Sequence, residues 1–168
     1  MSDAATMTVK AVILPNEIQK TLKDLTFAYT PADVSEKWFY GLINVPHNTG
    51  SEDLISGEFL SNSAGKNTGS STESISTSDK IRFLFIKNTG TTDGSSSTDE
   101  SIHLVLDGST VAHSSTNAIE ISSGESWYGK LPNTTIADLH AISADPDQTE
   151  GGGNVQCIVA AIIHDVSI

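Results

Sequence analysis

Ile81-Arg-Phe-Leu-Phe-Ile-Lys-Asn-Thr-Gly90 and, after a polar loop, Ser101-Ile-His-Leu-Val-Leu-Asp-Gly108 are the stretches that decide the fold. Each is a short apolar run that ends in turn-forming residues, Asn-Thr-Gly in the first and Asp-Gly in the second. Such runs at close spacing are typical of an all-β sandwich or barrel. Similar runs follow at residues 118–122, 126–131, 138–143 and 155–163.

The whole pattern predicts one all-β domain over residues 1–168, with residues 1–8 as an extended N-terminal arm. We expect a two-sheet antiparallel sandwich of jelly-roll topology, with about eight to ten strands and long polar loops. An immunoglobulin-like topology is the alternative, because strand order cannot be read from the sequence.

The remaining segments fill in this prediction. Residues 7–14 alternate and predict an N-terminal strand, and residues 25–29 have strand spacing after an ambiguous helical turn. Residues 37–45 are almost continuously apolar and predict a strand that is buried on both faces. Long polar loops are expected at residues 61–78, 89–99 and 144–154.

The core prediction takes apolar side chains from every expected strand. Trp127 is also expected to pack in the core, because it lies beside other large apolar residues. The predicted core comprises Trp38, Tyr40, Leu42, Phe83, Phe85, Leu104, Leu106, Ile119, Ile121, Leu139, Ile158 and Ala160.

The charge of the chain excludes two classes of partner. The formal net charge is −12 at pH 7, so phosphate backbones and anionic membrane surfaces both repel the protein. The N-terminal sequence has no basic start or apolar core, and we therefore expect no signal peptide. The single cysteine, Cys157, lies inside an apolar run, where a buried and inert thiol is expected.

Motifs for nucleophilic or phosphate chemistry do not emerge. Gly124-Glu-Ser126-Trp-Tyr-Gly129 is one residue too long for a nucleophile elbow, and it lies between predicted strands. The glycines at 151–153 precede a predicted strand, whereas a phosphate loop needs a helix N-terminus. We therefore predict a non-enzymatic protein with no catalytic and no cofactor-binding residues.

Metal ligands are also not assigned. The five histidines form no His-x-His or Glu-x-x-His pair, and His103 alternates with apolar neighbours, which predicts an outward position. Calcium favours oxygen-rich loops such as those at residues 93–100 and 145–150, but neither follows the EF-hand spacing. Calcium stays an alternative there, and the predicted set of metal ligands is none. The histidines are His47, His103, His113, His140 and His164.

Three segments carry a resemblance to a known class of proteins. They are Phe85-Ile-Lys-Asn-Thr-Gly-Thr-Thr-Asp-Gly94, Ile119-Glu-Ile-Ser-Ser-Gly-Glu-Ser-Trp127 and Asp138-Leu-His-Ala-Ile-Ser143. Together with the strand pattern of residues 36–166, they resemble small β-sandwich virion proteins of tailed bacteriophages, of the marine and cyanobacterial type.

The resemblance implies a virion structural protein, most specifically a capsid decoration or cement protein that binds and stabilises the phage head. Implied partners are the major capsid protein or other virion proteins, with the chain itself as a homo-oligomer. The implied location is the virion, assembled in the host bacterial cytoplasm. The alternative is a receptor- or carbohydrate-binding module of a tail or fibre, which uses the same fold.

The polar loops suggest how such a protein holds its neighbours. Their composition is too polar for ordering by burial, whereas their hydroxyl, amide and carboxylate groups can bind a neighbouring subunit. We therefore expect the arm at residues 1–8 and at least one of the three loops to contact other subunits.

Overall fold

The computed structural model describes seven segments of the chain. The chain divides into two compact units. The N-terminal unit spans residues 1–34 and the main unit spans residues 35–168. In the N-terminal unit, strands β1 (Ala5–Val9) and β2 (Leu25–Tyr29) pair in antiparallel fashion. The described segments are residues 5–9, 25–32, 35–47, 52–63, 66–108, 118–144 and 153–167.

The main unit is built almost wholly of strands. One short 3₁₀ turn lies at Ile136–Asp138, and the described residues include no helix long and apolar enough to cross a membrane. Its strands are β3 (Glu36–Val45), β4 (Glu52–Asp53), β5 (Glu58–Ser63), β6 (Lys66–Ser74), β7 (Lys80–Asn88), β8 (Ser101–Val105), β9 (Ile119–Ile121), β10 (Ser126–Lys130), β11 (His140–Ala144) and β12 (Val155–His164).

Eight of these strands form two four-stranded antiparallel sheets. Sheet I has the order β10-β7-β12-β3, and sheet II has the order β4-β11-β8-β9. Counted along the chain, the first of the eight strands pairs with the last, the second with the seventh, the third with the sixth and the fourth with the fifth. This is the strand pairing of a jelly roll, so the all-β antiparallel prediction is confirmed, and the order differs from the immunoglobulin-like alternative.

Strands β5 and β6 form a separate two-stranded hairpin. The sequence predicts a polar loop over residues 61–78, and the structure instead continues the hairpin through residue 74. The loop at 89–99 lies where it is expected. Residues 1–4, 10–24 and 145–152, which carry parts of the predicted arm, first strand, helical turn and third loop, lie outside the described residues.

The core lies between the two sheets, because each sheet turns one set of alternating apolar side chains toward the other. From sheet I, β12 contributes Val155, Cys157, Val159, Ala161 and Ile163, all with 0% exposure. Sheet II contributes side chains from β8, β9 and β11, which join the same buried cluster. Those from sheet II are Ile102, Leu104, Ile121 and Ala141, with Leu139 just before β11.

The predicted core is correct for sheet II and wrong for most of sheet I. Leu104, Ile121 and Leu139 are buried in the shared cluster, and Leu106 and Ile119 pack against it. The remaining side chains lie on the outer face of sheet I: Trp38, Tyr40, Leu42, Phe83, Phe85, Ile158 and Ala160. Of these seven, Phe83 is buried, but it lies outside the shared cluster.

A β-bulge explains the error on β7. Ile162 pairs with Phe83 whereas the next residue, Ile163, pairs with Ile81, so Arg82 is an extra residue in β7. An extra residue reverses the side-chain alternation on either side of it. Ile81 therefore faces the core, and Phe83, two residues later, faces outward. Arg82 uses its position to reach Glu36 at 3.5 Å and to donate to the Pro132 carbonyl at 2.7 Å.

On β3 and β12 the error has a simpler cause, since apolar residues occupy both faces of each strand. Phe39 and Val45 are the buried apolar side chains of β3, whereas Tyr40 and Leu42 are 52% and 58% exposed. The prediction that this strand is buried on both faces is therefore wrong. Trp127 is half-buried against the core, and its ring lies over Gly129, where an added Cβ would come within 2.8 Å of it.

An ionic cluster closes one end of the sandwich. Lys37 at the start of β3 donates to Asp165, just after β12, at 2.8 Å and also to Glu73 of β6. Its ammonium group lies 5.1 Å from the centre of the Phe59 ring. Burial acts to raise the pKa of Asp165, but hydrogen bonds from Lys37 and Ser167 outweigh it and lower that pKa to about 2. The cluster thereby joins β3, β6 and the end of β12.

Truncation of two leucines on opposite faces tests the assignment of the core. Leu104 is fully buried, so Leu104→Ala is expected to cost about 2–5 kcal/mol of unfolding free energy. Leu42 is mostly exposed, so Leu42→Ala is expected to change stability by less than about 0.5 kcal/mol. Urea denaturation of both variants measures the difference, and equal losses would contradict the assignment of faces.

The ionic cluster predicts a dependence of stability on pH. The folded pKa of Asp165 lies below the value of about 3.9 for a free aspartate. Its stabilising effect is therefore present above about pH 4 and is lost as the pH falls toward about 2. Asp165→Asn should lower stability at pH 7 by up to about 2 kcal/mol and flatten the decline between pH 4 and 2. Thermal unfolding across that range measures this, with the exposed Asp99→Asn as the control that should follow the wild type.

Candidate interaction surface

The strand register fixes three rows of directly opposed side chains that cross all four strands on the outer face of sheet I, and a further row, Lys80–His164–Glu36, crosses three strands. Opposed residues in an antiparallel sheet point to the same side, so each row is a line of neighbours. In the strand order β10, β7, β12, β3, the rows are Lys130–Phe83–Ile162–Trp38, Tyr128–Phe85–Ala160–Tyr40 and Ser126–Lys87–Ile158–Leu42.

Two of these rows are open to solvent. Phe83 and Ile162 of the first row are already buried, at 3% and 0% exposure. The second and third rows hold the two most exposed large apolar side chains of the described residues, Tyr40 and Leu42. Around them lie half-buried apolar side chains. We call this set the outer patch, and it consists of Tyr40, Leu42, Phe85, Tyr128, Ile158 and Ala160.

The electrostatics of the outer patch differ from those of the whole protein. The chain carries 21 acidic and 9 basic residues, yet the three rows contain no carboxylate and two lysines, Lys87 and Lys130. Both lysines lie on β7 and β10, whereas the most exposed apolar side chains lie on β3 at the opposite edge. The outer patch is therefore an apolar surface with positive charge along one side.

The loop at residues 89–99 borders the sheet and is ordered by its own hydrogen bonds. The Asp93 carboxylate accepts from the amides of Ser95 at 2.8 Å and Ser96 at 2.7 Å. Hydrogen bonds from Ser96 and Ser95 lower the pKa of Asp93. Gly90 adopts a φ of +72° that places its amide on the Asn88 side chain at 2.9 Å. Local hydrogen bonds therefore order this loop, although its polar composition predicts that a neighbouring subunit is needed to order it.

Asn88 ties this loop to sheet II. Its side chain is fully buried and donates to the carbonyls of Glu100 at 2.8 Å and Ile121 at 3.2 Å. Glu100 in turn accepts from the amide of Gly153 at 3.3 Å. A buried amide that bonds two strand ends gives the rim of the sandwich a fixed shape.

The four described histidines are dispersed through the main unit. His103 lies on the side of β8 opposite to Leu104, as its alternation predicts, but it is only 2% exposed. His140 lies 3.8 Å from Asp53, and His164 shares a hydrogen bond of 3.0 Å with Ser35. His47 directly follows Pro46 in the chain, and its backbone amide donates a hydrogen bond to the Asn154 side chain. Within the described residues, no three His, Cys, Asp or Glu side chains are grouped to hold a metal ion.

Neither acidic loop gathers ligands for calcium in the part of the chain that is described. The Asp93 carboxylate accepts hydrogen bonds from amides of its own loop, and the Glu100 carboxylate accepts one from the amide of Gly153. The second acidic segment, 145–150, and His113 lie outside the described residues. Ser126 begins an exposed strand edge after the turn at Gly124, where φ is +79°, so this motif is a strand connection.

Cys157 is fully buried in the core, as expected. Burial raises the pKa of its thiol to about 12. We therefore predict that Cys157 does not react with a thiol reagent at pH 8 in the folded protein and reacts fully in denaturant. Rapid labelling of the native protein would contradict this burial.

The outer patch is the feature that the sequence interpretation missed. The sequence marks its residues as apolar strand residues and predicts them in the core, which is the common position of such side chains. The sequence does contain a signal for this surface, namely more apolar side chains than two packed sheets can bury. Both β3 and β12 carry large apolar side chains on both faces, whereas the packing of two sheets on each other covers only the facing side of each.

Comparisons with known proteins add no identification. No protein-family model matches the chain, and neither the curated proteins nor the solved structures contain a significant match.

Proposed function

We propose that the protein is a non-enzymatic structural component of a phage virion, most specifically a decoration or cement protein of the capsid. The observation that carries an assembly role is the outer patch. Large apolar side chains exposed together on a rigid sheet mark a surface for another macromolecule. The virion itself comes from the resemblance of residues 36–166 to small β-sandwich virion proteins.

The rest of the molecule supports this proposal. The ordered loop at 89–99 holds the exposed Ser95, Ser97 and Asp99 on a fixed rim, which suits contacts with a capsid surface. The proposed partners are the major capsid protein and other virion proteins, reached through the N-terminal arm and the polar loops. The acidic charge of −12 suits a position away from packaged DNA.

One observation favours the alternative of a receptor- or carbohydrate-binding module of a tail or fibre. Tyr128, Phe85 and Tyr40 lie in one row across sheet I, and each is at least partly exposed. Aromatic rings in a row on a flat sheet offer apolar faces on which sugar rings can stack. The fold does not separate the two functions, because both use a β-sandwich.

Counting the copies of this chain in purified phage particles tests the proposal. A decoration protein is expected at a copy number comparable with that of the major capsid protein, and a tail or fibre module at a few copies per particle. Quantitative mass spectrometry measures this ratio. The absence of the chain from purified particles would contradict a virion role of either kind.

A glycan array separates the alternative further. The purified chain is expected to show no binding, whereas a carbohydrate-binding module would bind a defined set of glycans. Loss of that binding in Tyr40→Ala, with retention in the Val166→Ala control, would assign it to the outer patch and would overturn the capsid proposal. Val166 is a suitable control because it is an exposed apolar residue outside sheet I, at 43% exposure.

A further inference from the structure

We propose that the outer patch binds an extended segment of another virion protein that carries a large apolar residue and, two positions away, an aspartate or a glutamate. The apolar side chain enters a depression over Ala160, and the carboxylate pairs with Lys87. This inference rests on the proposed function, because it names the chemistry by which an assembly protein recognises one of its partners.

Ala160 forms the floor of a depression in the outer face of sheet I. On the neighbouring strands it is directly opposed by Phe85 of β7 and Tyr40 of β3. Along β12, Ile158 and Ile162 lie two residues away on the same face. A methyl group among four large side chains leaves room for one further apolar side chain. Ala160 is partly exposed, so this room opens to solvent.

The depression is closed at one end and open at the other. In the row on one side of it, Phe83 and Ile162 are already buried within the chain, so a ligand does not extend over that row. In the row on the other side, Lys87 is partly exposed and Leu42 is 58% exposed. A ligand seated over Ala160 therefore extends toward this second row.

Lys87 gives the open end of the depression a positive charge. It is a diagonal neighbour of Ala160 across β7 and β12, about 7–8 Å away at the usual sheet spacing. It belongs to none of the ion pairs formed among the described residues. Glu36 lies on the same face, but it is two rows from Ala160 and pairs with Arg82 at 3.5 Å. A carboxylate of the partner is therefore the group that matches Lys87.

The width of the depression selects an extended segment. Phe85 and Tyr40 lie two strand spacings apart, about 9.6 Å, and a helix with its side chains, about 10–12 Å wide, is too broad to lie between them. An extended segment needs only about 4.8 Å. Side chains two residues apart on such a segment point to the same side and are about 6.8 Å apart, which matches the separation of Ala160 and Lys87.

The size of the open surface agrees with a short ligand. Two rows across four strands span about 19 Å by about 14 Å, roughly 270 Å², whereas a standard interface between two folded proteins buries roughly 800 Å² on each side. A single copy should therefore bind its segment weakly. Many copies on one particle would raise the effective affinity without stronger individual contacts.

A peptide titration followed by NMR tests the binding. The probe is the end-blocked peptide Ser-Thr-Phe-Thr-Glu-Thr-Ser, added to the full isotopically labelled chain. We expect saturable shifts at the amides of Ala160 and Lys87, with a Kd on the order of 1 mM. The matched peptide with lysine in place of glutamate should bind about fivefold more weakly at low salt. Absence of shifts at about 10 mM peptide, or equal binding of both peptides, would overturn the proposal.

Filling the depression distinguishes it from a surface that is only apolar. Ala160→Leu adds apolar area but occupies the space that the phenylalanine of the peptide needs. We expect its affinity to fall at least about tenfold, the effect of losing one buried apolar side chain. Val166→Leu, which adds similar area at an exposed position outside sheet I, should bind like the wild type. Unchanged or tighter binding by a folded Ala160→Leu variant contradicts the depression.

A pair of lysine variants tests the charge and does not depend on the packing at Ala160. Lys87→Gln should bind the glutamate and lysine peptides equally. Lys80→Gln is the matched control, because Lys80 is also partly exposed on β7 but lies opposite His164, away from the depression. This variant should keep the preference for glutamate. Retention of that preference in Lys87→Gln, or its loss in both variants, contradicts the assigned pairing.

The same NMR signals report two other occupants. Shifts of the Ala160 amide that grow with the concentration of the chain alone would assign the surface to a second copy. Shifts caused by cellopentaose, in the absence of any caused by the peptide, would assign it to a sugar. Either result overturns the proposal.

These outcomes are separable from those that test the proposed function. A chain that is abundant in phage particles but does not bind the peptide overturns this inference and leaves the virion role intact. A chain that binds the peptide through Ala160 and Lys87 but is absent from particles does the reverse.

Discussion

The central position of β12 is the constraint on which the rest of the structure depends. This strand pairs along its full length with β3 on one side and through eight registered positions with β7 on the other. Side chains on a strand alternate between faces, so one register decides at once which residues form the core and which form the outer patch. A slip of one residue would exchange Val159 with Ala160 and invert both surfaces.

The composition of β12 makes that register secure without making the outer face polar. The inward set includes Cys157, Val159 and Ile163, which fill the space between the sheets. The outward set includes Ile158 and Ala160, which are apolar but stay partly exposed. A strand designed only for one buried face would place polar residues at these outward positions. The apolar residues at these outward positions are the part of β12 that belongs to the proposed interaction surface.

The bulge at Arg82 extends the same arrangement to β7. Without the extra residue, Ile81, Phe83 and Phe85 would share one face, and the core would need to hold two phenylalanines. With it, Ile81 and Leu84 both reach the core, and the phenyl rings turn outward. The Arg82 guanidinium then forms an ion pair with Glu36 at 3.5 Å. The extra residue thus lets Ile81 reach the core on the same strand on which Phe83 and Phe85 face outward.

Sequence reasoning could predict the fold class and most strand positions, because short apolar runs bounded by turn residues depend on local chemistry. It also placed Leu104, Ile121 and Leu139 correctly, since Ser101 and His103 alternate with Ile102 and Leu104 along β8 and so mark the apolar face. It could not choose the face of β3 or β12, where both alternating sets are apolar and the choice depends on the other sheet. The bulge was equally out of reach, because nothing in Ile81-Arg-Phe marks the extra residue before its partner strand is known.

The candidate surface also depends on which face of a strand is buried, which the sequence does not determine. For this reason the sequence predicts residues of the outer patch in the core. Tyr40 and Phe39 are adjacent aromatic residues on one strand, and only pairing distinguishes the ring that is buried from the ring that is exposed. The polar loop at 89–99 shows the opposite case, in which local chemistry carried more order than its composition suggested. Asp93 and Thr91 organise that loop through bonds to amides two or three residues away.

Charge and apolar exposure work together in this molecule. A surface patch of Tyr40 and Leu42 on a neutral protein would favour indiscriminate association, whereas a chain of net charge −12 repels most copies of itself at random orientations. The three rows that cross all four strands of sheet I contain no carboxylate, so charge repulsion is weakest there. The acidic surface therefore disfavours contacts at random orientations, and the outer patch is the surface on which the proposed interaction depends.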